Sequence, residues 1–307
     1  MQLGIIGLGK MGGNMLLRLA AGGHDVRGYD RDPGTVAALA AEAGFSAPES
    51  VADLVTALAA PRTVWLMLPA GDVTEAAIDE LKGLLAPGDT LVDGANSLFK
   101  DSMRRAQELA SLGIGFVDAG VSGGVWGREN GYALMVGGTD RSFAAVRPAI
   151  ETLAPATDSG WLHCGPPGSG HFVKMVHNGI EYGMMQAYAE GFALMKGRED
   201  FGLDLAGIAE MWRHGSVVRS WLLDLTADFL RNDQELESIE PVVADSGEGR
   251  WTVIEAIEQG VPAPAIGAAV MMRHASQGGG DYGARILSMM RKGFGGHAVV
   301  AREGDES

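Results

Sequence analysis

The first half of the chain alternates short apolar runs with stretches of helical periodicity, and this alternation restricts the possible folds more than any other feature. Each candidate strand is followed by a candidate helix after a short connection, a pattern typical of a parallel, doubly wound sheet. The predicted strands are 2–6, 25–29, 63–68, 90–93 and 115–119, and residues 132–137 could extend the same sheet. The predicted helices between them are 11–21, 35–43, 73–85 and 100–112.

A glycine-rich turn joins the first predicted strand to the first predicted helix. Gly7, Gly9 and Gly12 stand in a Gly-x-Gly-x-x-Gly pattern. Such glycines allow a tight turn and bring backbone N–H groups close to a pyrophosphate at the helix N-terminus. The pattern alone is a weak signal, but its strand–turn–helix context favours a dinucleotide site over a merely structural turn. The expected cofactor-binding residues are Gly7, Leu8, Gly9, Lys10, Met11, Gly12, Asp30, Arg31, Leu68 and Asn96.

An acidic residue, Asp30, ends the second predicted strand about 20 residues after the glycine turn. A carboxylate at this position binds the ribose 2′-hydroxyl and repels a 2′-phosphate, so NAD is expected and NADP is disfavoured. The next residue, Arg31, leaves an alternative open, because a guanidinium can hold a phosphate or stack on adenine. Asp30 could also be an ordinary turn residue before Asp32 and Pro33.

The second half of the chain has helical periodicity to about residue 290. Cys164-Gly165-Pro166-Pro167-Gly168 is expected to interrupt regular structure before it. Residues 277–283 form a glycine-rich loop in this prediction. The expected fold is therefore α/β, with a Rossmann-type doubly wound parallel sheet in 1–164, an all-α substrate and dimerisation domain in 165–290, and a loose tail in 291–307.

One predicted helix carries a narrow polar stripe among bulky apolar neighbours. The stripe residues follow i, i+3, i+4 and i+7 spacing and are Lys174, His177, Asn178 and Glu181. Mostly apolar helices are usually buried, and buried charges need partners or a chemical role. A lysine base and a glutamate acid two turns apart could together oxidise an alcohol and protonate a carbanion. The alternative is a structural ion network between Lys174 and Glu181.

Two further loops follow predicted strands, where ligands of open α/β sheets bind. They are Asp93-Gly94-Ala95-Asn96-Ser97 and Val121-Ser122-Gly123-Gly124, and each could equally be an ordinary turn.

The seven histidines show no close pairing of metal ligands beyond His171 and His177. These two are six residues apart, which puts them on different faces of a helix, so no metal site is expected. Ser/His/Asp nucleophile chemistry is not expected either.

Charge and cysteine content exclude several other classes of protein. The 307 residues include 24 Lys+Arg and 39 Asp+Glu, a net charge of −15, which disfavours nucleic acids and anionic membranes as partners. No apolar run reaches the roughly 18 residues of a membrane span. Cys164 is the single cysteine, so an intrachain disulfide is impossible. The expectation is a soluble, cytoplasmic protein with a small-molecule substrate.

These motifs together resemble the decarboxylating 6-phosphogluconate dehydrogenases, particularly their short bacterial form. The most specific segment is 174–182, and the glycine turn and 121–124 are shared with the wider β-hydroxyacid dehydrogenases. The similar segments are 7–14, 93–97, 121–124, 174–186, 244–252 and 291–297. The resemblance implies that Lys174 is the general base and Glu181 the general acid. It also implies substrate contacts by Asn96, Ser122, Gly123, Gly124, His177, Asn178, Tyr182, Arg250, Arg273, Arg291 and His297.

The implied substrate is a phosphorylated sugar acid, and the implied cofactor is NAD. Tyr182, Arg250, Arg273, Arg291 and His297 match phosphate contacts of the family, with Arg250 standing where most members have lysine. In family dimers the last two reach the neighbouring active site, so a homodimer or homotetramer is expected. The long forms carry an Asn-Arg-Thr motif after the second strand and use NADP. In this chain 29–32 replaces that motif, which strengthens the expectation of NAD.

The implied reaction converts 6-phospho-D-gluconate into D-ribulose 5-phosphate and CO2. Two alternatives remain at this point. A 3-hydroxyisobutyrate-type β-hydroxyacid dehydrogenase would share Lys174 and Asn178 but would need neither a phosphate cluster nor an acid at Glu181. A catalytically silent NAD-binding protein would bind the cofactor without turnover.

Overall fold

The computed structural model describes residues 1–295 and 298–300. The chain divides into two compact units, residues 1–177 and 178–307. One continuous helix, α8 (Ser169–Lys196), runs across the division. No helix in the described part of the chain is long and apolar enough to cross a membrane.

The first unit is built on a seven-stranded sheet of order β2-β1-β3-β4-β5-β6-β7. All neighbouring strands are parallel except β5 and β6, which pair antiparallel. The strands are β1 (Gln2–Ile6), β2 (Asp25–Tyr29), β3 (Thr63–Leu66), β4 (Thr90–Asp93), β5 (Gly115–Ser122), β6 (Ala133–Gly138) and β7 (Trp161–Gly165). The predicted fold class, a doubly wound sheet followed by an all-α part, is confirmed.

Helices cover both faces of this sheet. Its core falls into two apolar clusters, one around Leu3, Ile5 and Trp65 and the other around Leu66 and Ile78. Burial of these side chains from water is the main stabilising contribution. The helices of the first unit that precede α8 are α1 (Lys10–Ala21), α2 (Pro33–Ala43), α3 (Val51–Thr56), α4 (Asp72–Lys82), α5 (Phe99–Ser111), α6 (Gly127–Asn130) and α7 (Asp140–Leu153).

The second unit is helical in its described residues. A small core joins α9 and α10 through Leu205, Ala209 and Leu223, and another contains Tyr182 and Val270. Its helices after α8 are α9 (Leu205–Trp212), α10 (Trp221–Asn232), α11 (Glu248–Gln259), α12 (Pro264–Ser276) and α13 (Asp281–Gly295).

Several predicted boundaries of strands and helices were wrong. The break expected at Cys164 begins only at Pro166, because β7 pairs with β6 through Gly165 and Gly137. Helix α13 begins at Asp281 inside the expected glycine-rich loop and continues to Gly295, well past the expected start of the tail at Arg291. Lys292 in the last turn favours this extension, since cations stabilise helix C-termini. Helices α3, α6 and α7 and strand β7 lie outside the predicted elements.

Candidate active site

The glycine turn is shaped by close backbone approaches that leave one side open. Gly7 has φ +92°, a left-handed conformation that favours glycine, and its N–H donates to the Tyr29 carbonyl at 2.9 Å. A side chain on Gly12 would collide with the Gly7 carbonyl. At Gly9 an added Cβ would meet no atom within 4 Å. The turn is therefore closely packed at Gly7 and Gly12 and open at Gly9, so a pyrophosphate could approach its backbone N–H groups.

A cavity of about 980 Å³ lies over this turn, at the carboxyl ends of β1, β3 and β4. Nine of the ten residues expected to bind cofactor line the cavity: Gly7, Gly9, Lys10, Met11, Gly12, Asp30, Arg31, Leu68 and Asn96. The tenth, Leu8, turns its side chain into the core and is 3% exposed. Its backbone N–H donates to Asp30 Oδ2 at 2.7 Å, so this residue acts through its main chain.

Asp30 holds two backbone segments at the cavity wall. Besides the bond from Leu8, its Oδ1 accepts the N–H of Asp32 at 3.0 Å. A carboxylate fixed by two donors still has lone pairs for a ribose hydroxyl. Arg31 is exposed on the same wall.

The loop after β4 carries Asn96 into the cavity. Asp93 is fully buried and accepts the Ala95 N–H at 3.0 Å and the Ser97 hydroxyl at 2.9 Å. Both neighbours of Asn96 are thus tied to one carboxylate, while Asn96 itself is exposed.

The loop after β5 rests on a buried aromatic ring. Gly123 and Gly124 have φ of +141° and +54°, and the Tyr132 ring lies directly beneath Gly127. Burial raises the pKa of Tyr132 to about 12, so this residue is a neutral support. Ser122 lies at the end of β5.

The first turns of α8 pack closely on β5. Lys174 is 6% exposed, and its aliphatic stem passes so near Gly120 that any side chain there would collide with it. One turn further on, His177 Nε2 lies 3.4 Å from Ser122 Oγ. Lys174, His177 and Ser122 therefore meet within the first unit.

A buried carboxylate fixes the start of this helix. Asp118 of β5 is fully buried and accepts the N–H groups of Gly168 at 2.7 Å and His171 at 2.8 Å. The His171 ring is also buried, with Nδ1 2.7 Å from Ser102 Oγ. Asp118 was not among the predicted site residues, although an aspartate inside the apolar run 116–121 was a usable signal.

The second unit gathers predicted phosphate contacts around one segment. The Tyr182 hydroxyl lies 3.0 Å from Ser246 Oγ and accepts the Ser246 N–H at 3.1 Å. The Arg273 guanidinium lies 3.6 Å above the centre of the Tyr182 ring, and Arg273 Nη1 donates to the Ala244 carbonyl at 2.7 Å. Arg250 Nε lies 3.5 Å from Asp245 Oδ2.

Asp245 was also missed by sequence analysis and lies among these cations. His274 Nε2 is 3.5 Å from its Oδ2. Burial opposes its ionisation, but the Gly247 N–H, the Arg250 charge, and hydrogen bonds from His274 and Tyr182 hold the pKa of Asp245 below its ordinary value. The carboxylate therefore remains charged and keeps its cationic neighbours in place.

The remaining predicted residues are placed as follows. Asn178 and Glu181 lie on α8 beyond His177, and both are partly buried. Arg291 is exposed on α13, and His297 lies outside the described residues. Among the described residues, no group of three or more His, Cys, Asp or Glu side chains is arranged to hold a metal ion.

The fold and cavity define an NAD(P)-binding dehydrogenase with a helical second part. The family model of the NAD binding domain of 6-phosphogluconate dehydrogenase matches residues 2–163, and the model of that enzyme's C-terminal domain matches residues 170–288. The chain belongs to the 6-phosphogluconate dehydrogenase family, which confirms the resemblance found in the sequence.

Individual relatives agree with this assignment. The NAD(+)-dependent, decarboxylating 6-phosphogluconate dehydrogenase of Haloferax volcanii is 43% identical over 305 residues, covering 99% of this chain and 100% of the relative. The decarboxylating enzyme of Synechococcus elongatus is 40% identical over 286 residues, but this chain covers only 61% of its length while 89% of this chain is matched.

A solved structure extends the similarity to three dimensions. The Plasmodium falciparum 6-phosphogluconate dehydrogenase matches with a TM-score of 0.82 and 28% identity, covering 100% of this chain and 67% of the other. That enzyme was solved with its cofactor NADP+ and with its substrate 6-phosphogluconate.

Proposed function

We propose that this chain catalyses the oxidative decarboxylation of 6-phospho-D-gluconate to D-ribulose 5-phosphate and CO2, with NAD as the preferred cofactor. The observation that carries the proposal is the burial of Lys174 against Gly120 of β5. Through this contact Lys174, one turn before His177 on α8, packs against the strand that ends at Ser122. The names of the decarboxylating relatives support this reaction over a 3-hydroxyisobutyrate-type oxidation.

The dinucleotide fits the cavity over the glycine turn. Gly9 leaves room for the pyrophosphate, while Gly7 and Gly12 admit no side chain. The bound nicotinamide supplies a hydride acceptor. Asp30, fixed by the Leu8 N–H, would bind the ribose 2′-hydroxyl and repel a 2′-phosphate. This repulsion is the reason for proposing NAD rather than NADP.

Lys174 acts as the general base in this proposal. Its neutral amine would take the proton of the substrate 3-hydroxyl as C3 is oxidised. The substrate then becomes a β-keto acid, which can lose CO2 without a metal. The protonated Lys174 would donate a hydrogen bond to the 3-carbonyl and stabilise the developing enolate.

Glu181 completes the reaction as the general acid. It lies two turns after Lys174 on α8 and would deliver a proton to C1 of the enediol. Asn96, Ser122, Gly123, Gly124, His177 and Asn178 are proposed to hold the sugar acid by hydrogen bonds. Hydrogen bonds from these residues would keep the reacting carbons in register.

The phosphate of the substrate is assigned to the second unit. Tyr182, Arg250 and Arg273 supply a hydroxyl and two guanidinium groups around residues 244–247. Guanidinium forks suit phosphate oxygens, which favours arginine at position 250. Arg291 and His297 are proposed as further phosphate contacts, in a cytoplasmic homodimer or homotetramer.

The decisive experiment supplies 6-phospho-D-gluconate with NAD or NADP and follows both reduced cofactor and CO2. We expect equal amounts of reduced NAD and CO2, and a larger kcat/KM with NAD. Reduced NAD without CO2 would instead favour a 3-hydroxyisobutyrate-type dehydrogenase. Cofactor binding without any turnover would favour a silent NAD-binding protein.

Two variants separate the proposed catalytic roles. Lys174→Met should abolish the hydride step, and near-normal activity would refute its role as base. Glu181→Gln should leave oxidation measurable but slow the formation of ribulose 5-phosphate, and an unchanged rate would refute its role as acid. NADH affinity is the control, since neither substitution alters the dinucleotide cavity.

A further inference from the structure

One arginine of the first unit is buried behind the dinucleotide cavity. Arg105 of α5 is 1% exposed, although it carries a full charge. Burying such a charge is costly unless it is paired and hydrogen-bonded. Its donors are paired with Glu75 Oε2 (2.9 Å from Nε and 2.8 Å from Nη2), Asp93 Oδ2 (2.9 Å from Nη1) and Ser97 Oγ (3.1 Å from Nη1).

The partners of Arg105 belong to two different walls of that cavity. Glu75 is part of α4, and the helix lines the cavity through Asp72, Val73, Ala76, Ala77 and Glu80. Asp93 and Ser97 flank the loop that carries Asn96 into the same cavity. Arg105 therefore joins helix α4 to the Asn96 loop from behind.

The hydrogen bonds at this position require a guanidinium group, and a lysine ammonium could not make all of them. The planar fork of Arg105 reaches Glu75 with one edge and Asp93 with another nitrogen, whereas a lysine ammonium is a single point charge. Hydrogen bonds from Arg104 hold the pKa of Glu75 at about 2 against the opposing effect of burial, and Arg105 contributes further. The carboxylate on α4 is thus ionised at neutral pH, and the bridge is complete.

We propose that Arg105 is a positioning residue that sets the distance between α4 and the Asn96 loop, and thereby controls dinucleotide affinity. A further effect on kcat, through the contact of Asn96 with the sugar acid, rests on the proposed function. Arg105 does not itself line the cavity, so its effect on dinucleotide affinity is transmitted through Glu75 and Asp93.

The test is a fluorescence titration with NADH of the full-length Arg105→Lys protein. We expect its Kd to rise about tenfold, the equivalent of one charge-assisted hydrogen bond. Arg104→Lys is the matched control. Arg104 also donates to Glu75, but it is 45% exposed and its other partners, Asp101 and Glu108, belong to α5 itself. The Kd of Arg104→Lys should therefore stay within twofold.

Hydrogen exchange of the unliganded protein gives a second readout. The amides of residues 94–98 should exchange at least tenfold faster in Arg105→Lys, while those of α5 remain protected. A purely structural role would instead lower protection throughout the first unit and leave the Kd of the folded fraction unchanged. That pattern, or a Kd within twofold of wild type, would overturn the proposal.

A second pair of variants covers the case in which Arg105→Lys does not fold. Glu75→Ala removes the carboxylate that joins α4 to Arg105, and this side chain is 30% exposed. Glu108→Ala is the control. Glu75→Ala should weaken NADH severalfold and Glu108→Ala should not; equal effects would refute the bridge. NADH binding needs no sugar acid, so this result is independent of whether 6-phospho-D-gluconate is the substrate.

Discussion

The contact between Lys174 and Gly120 makes a sharp prediction for Gly120→Ala. The added Cβ would stand 2.8 Å from Lys174 Cγ and closer still to Lys174 Cβ, while ordinary contacts begin at 3.4 Å. Because Lys174 Cβ is fixed to the helix backbone and lies closer than Cγ, α8 must move away from β5 by more than the 0.6 Å that separates 2.8 Å from 3.4 Å. The bonds from the Gly168 and His171 N–H groups to Asp118 oppose this movement, because they hold the start of α8 on β5.

This shift should lower both the free energy of unfolding and kcat. Overpacking a filled interior costs about 1–3 kcal/mol of unfolding free energy. A displacement of about 1 Å at a catalytic group can reduce the rate about 100-fold, so we expect kcat to fall roughly 10- to 100-fold. NADH affinity should be nearly unchanged, because Gly120 and Lys174 do not line the dinucleotide cavity.

The assay is steady-state CO2 release from 6-phospho-D-gluconate, with urea unfolding measured on the same preparations. Gly191→Ala is the control on the same helix, where an added Cβ would meet no atom within 4 Å. It should stabilise α8 by up to about 1 kcal/mol and leave kcat unchanged. A Gly120→Ala protein with kcat within twofold of wild type would refute the positional argument for Lys174.

Two other predictions concern the phosphate segment and the acid limit of stability. Tyr182→Phe removes the hydroxyl bonded to Ser246 and should raise KM for the sugar acid about tenfold with little change in kcat; an unchanged KM would contradict its assignment. The depressed pKa of Glu75, about 2 against 4.5 ordinarily, stabilises the fold above pH 4.5, and this contribution is lost as the pH falls towards 2. In Glu75→Gln the unfolding free energy should be lower at pH 7 and should fall less between pH 4.5 and 2; parallel curves would rule out this linkage.

Local patterns predicted the sheet and the glycine turn because strand and helix periodicity report burial directly. The strands at 2–6, 25–29 and 90–93 coincide with β1, β2 and β4. The polar stripe on α8 was also readable, since residues three and four apart share a helix face whatever surrounds them. Helix α13 extends through Gly293 to Gly295, residues that the prediction assigned to the tail.

The sequence by itself determined the fold class, the family and the chemical types present at the candidate site. Only the tertiary structure decided which distant residues support them: Asp118 at the start of α8, Gly120 beneath Lys174, and Arg105 between Glu75 and Asp93. These contacts join residues far apart in the chain, so no local sequence pattern predicts them. Their partners are chosen by strand order and helix packing, which arise only when the whole sheet has formed.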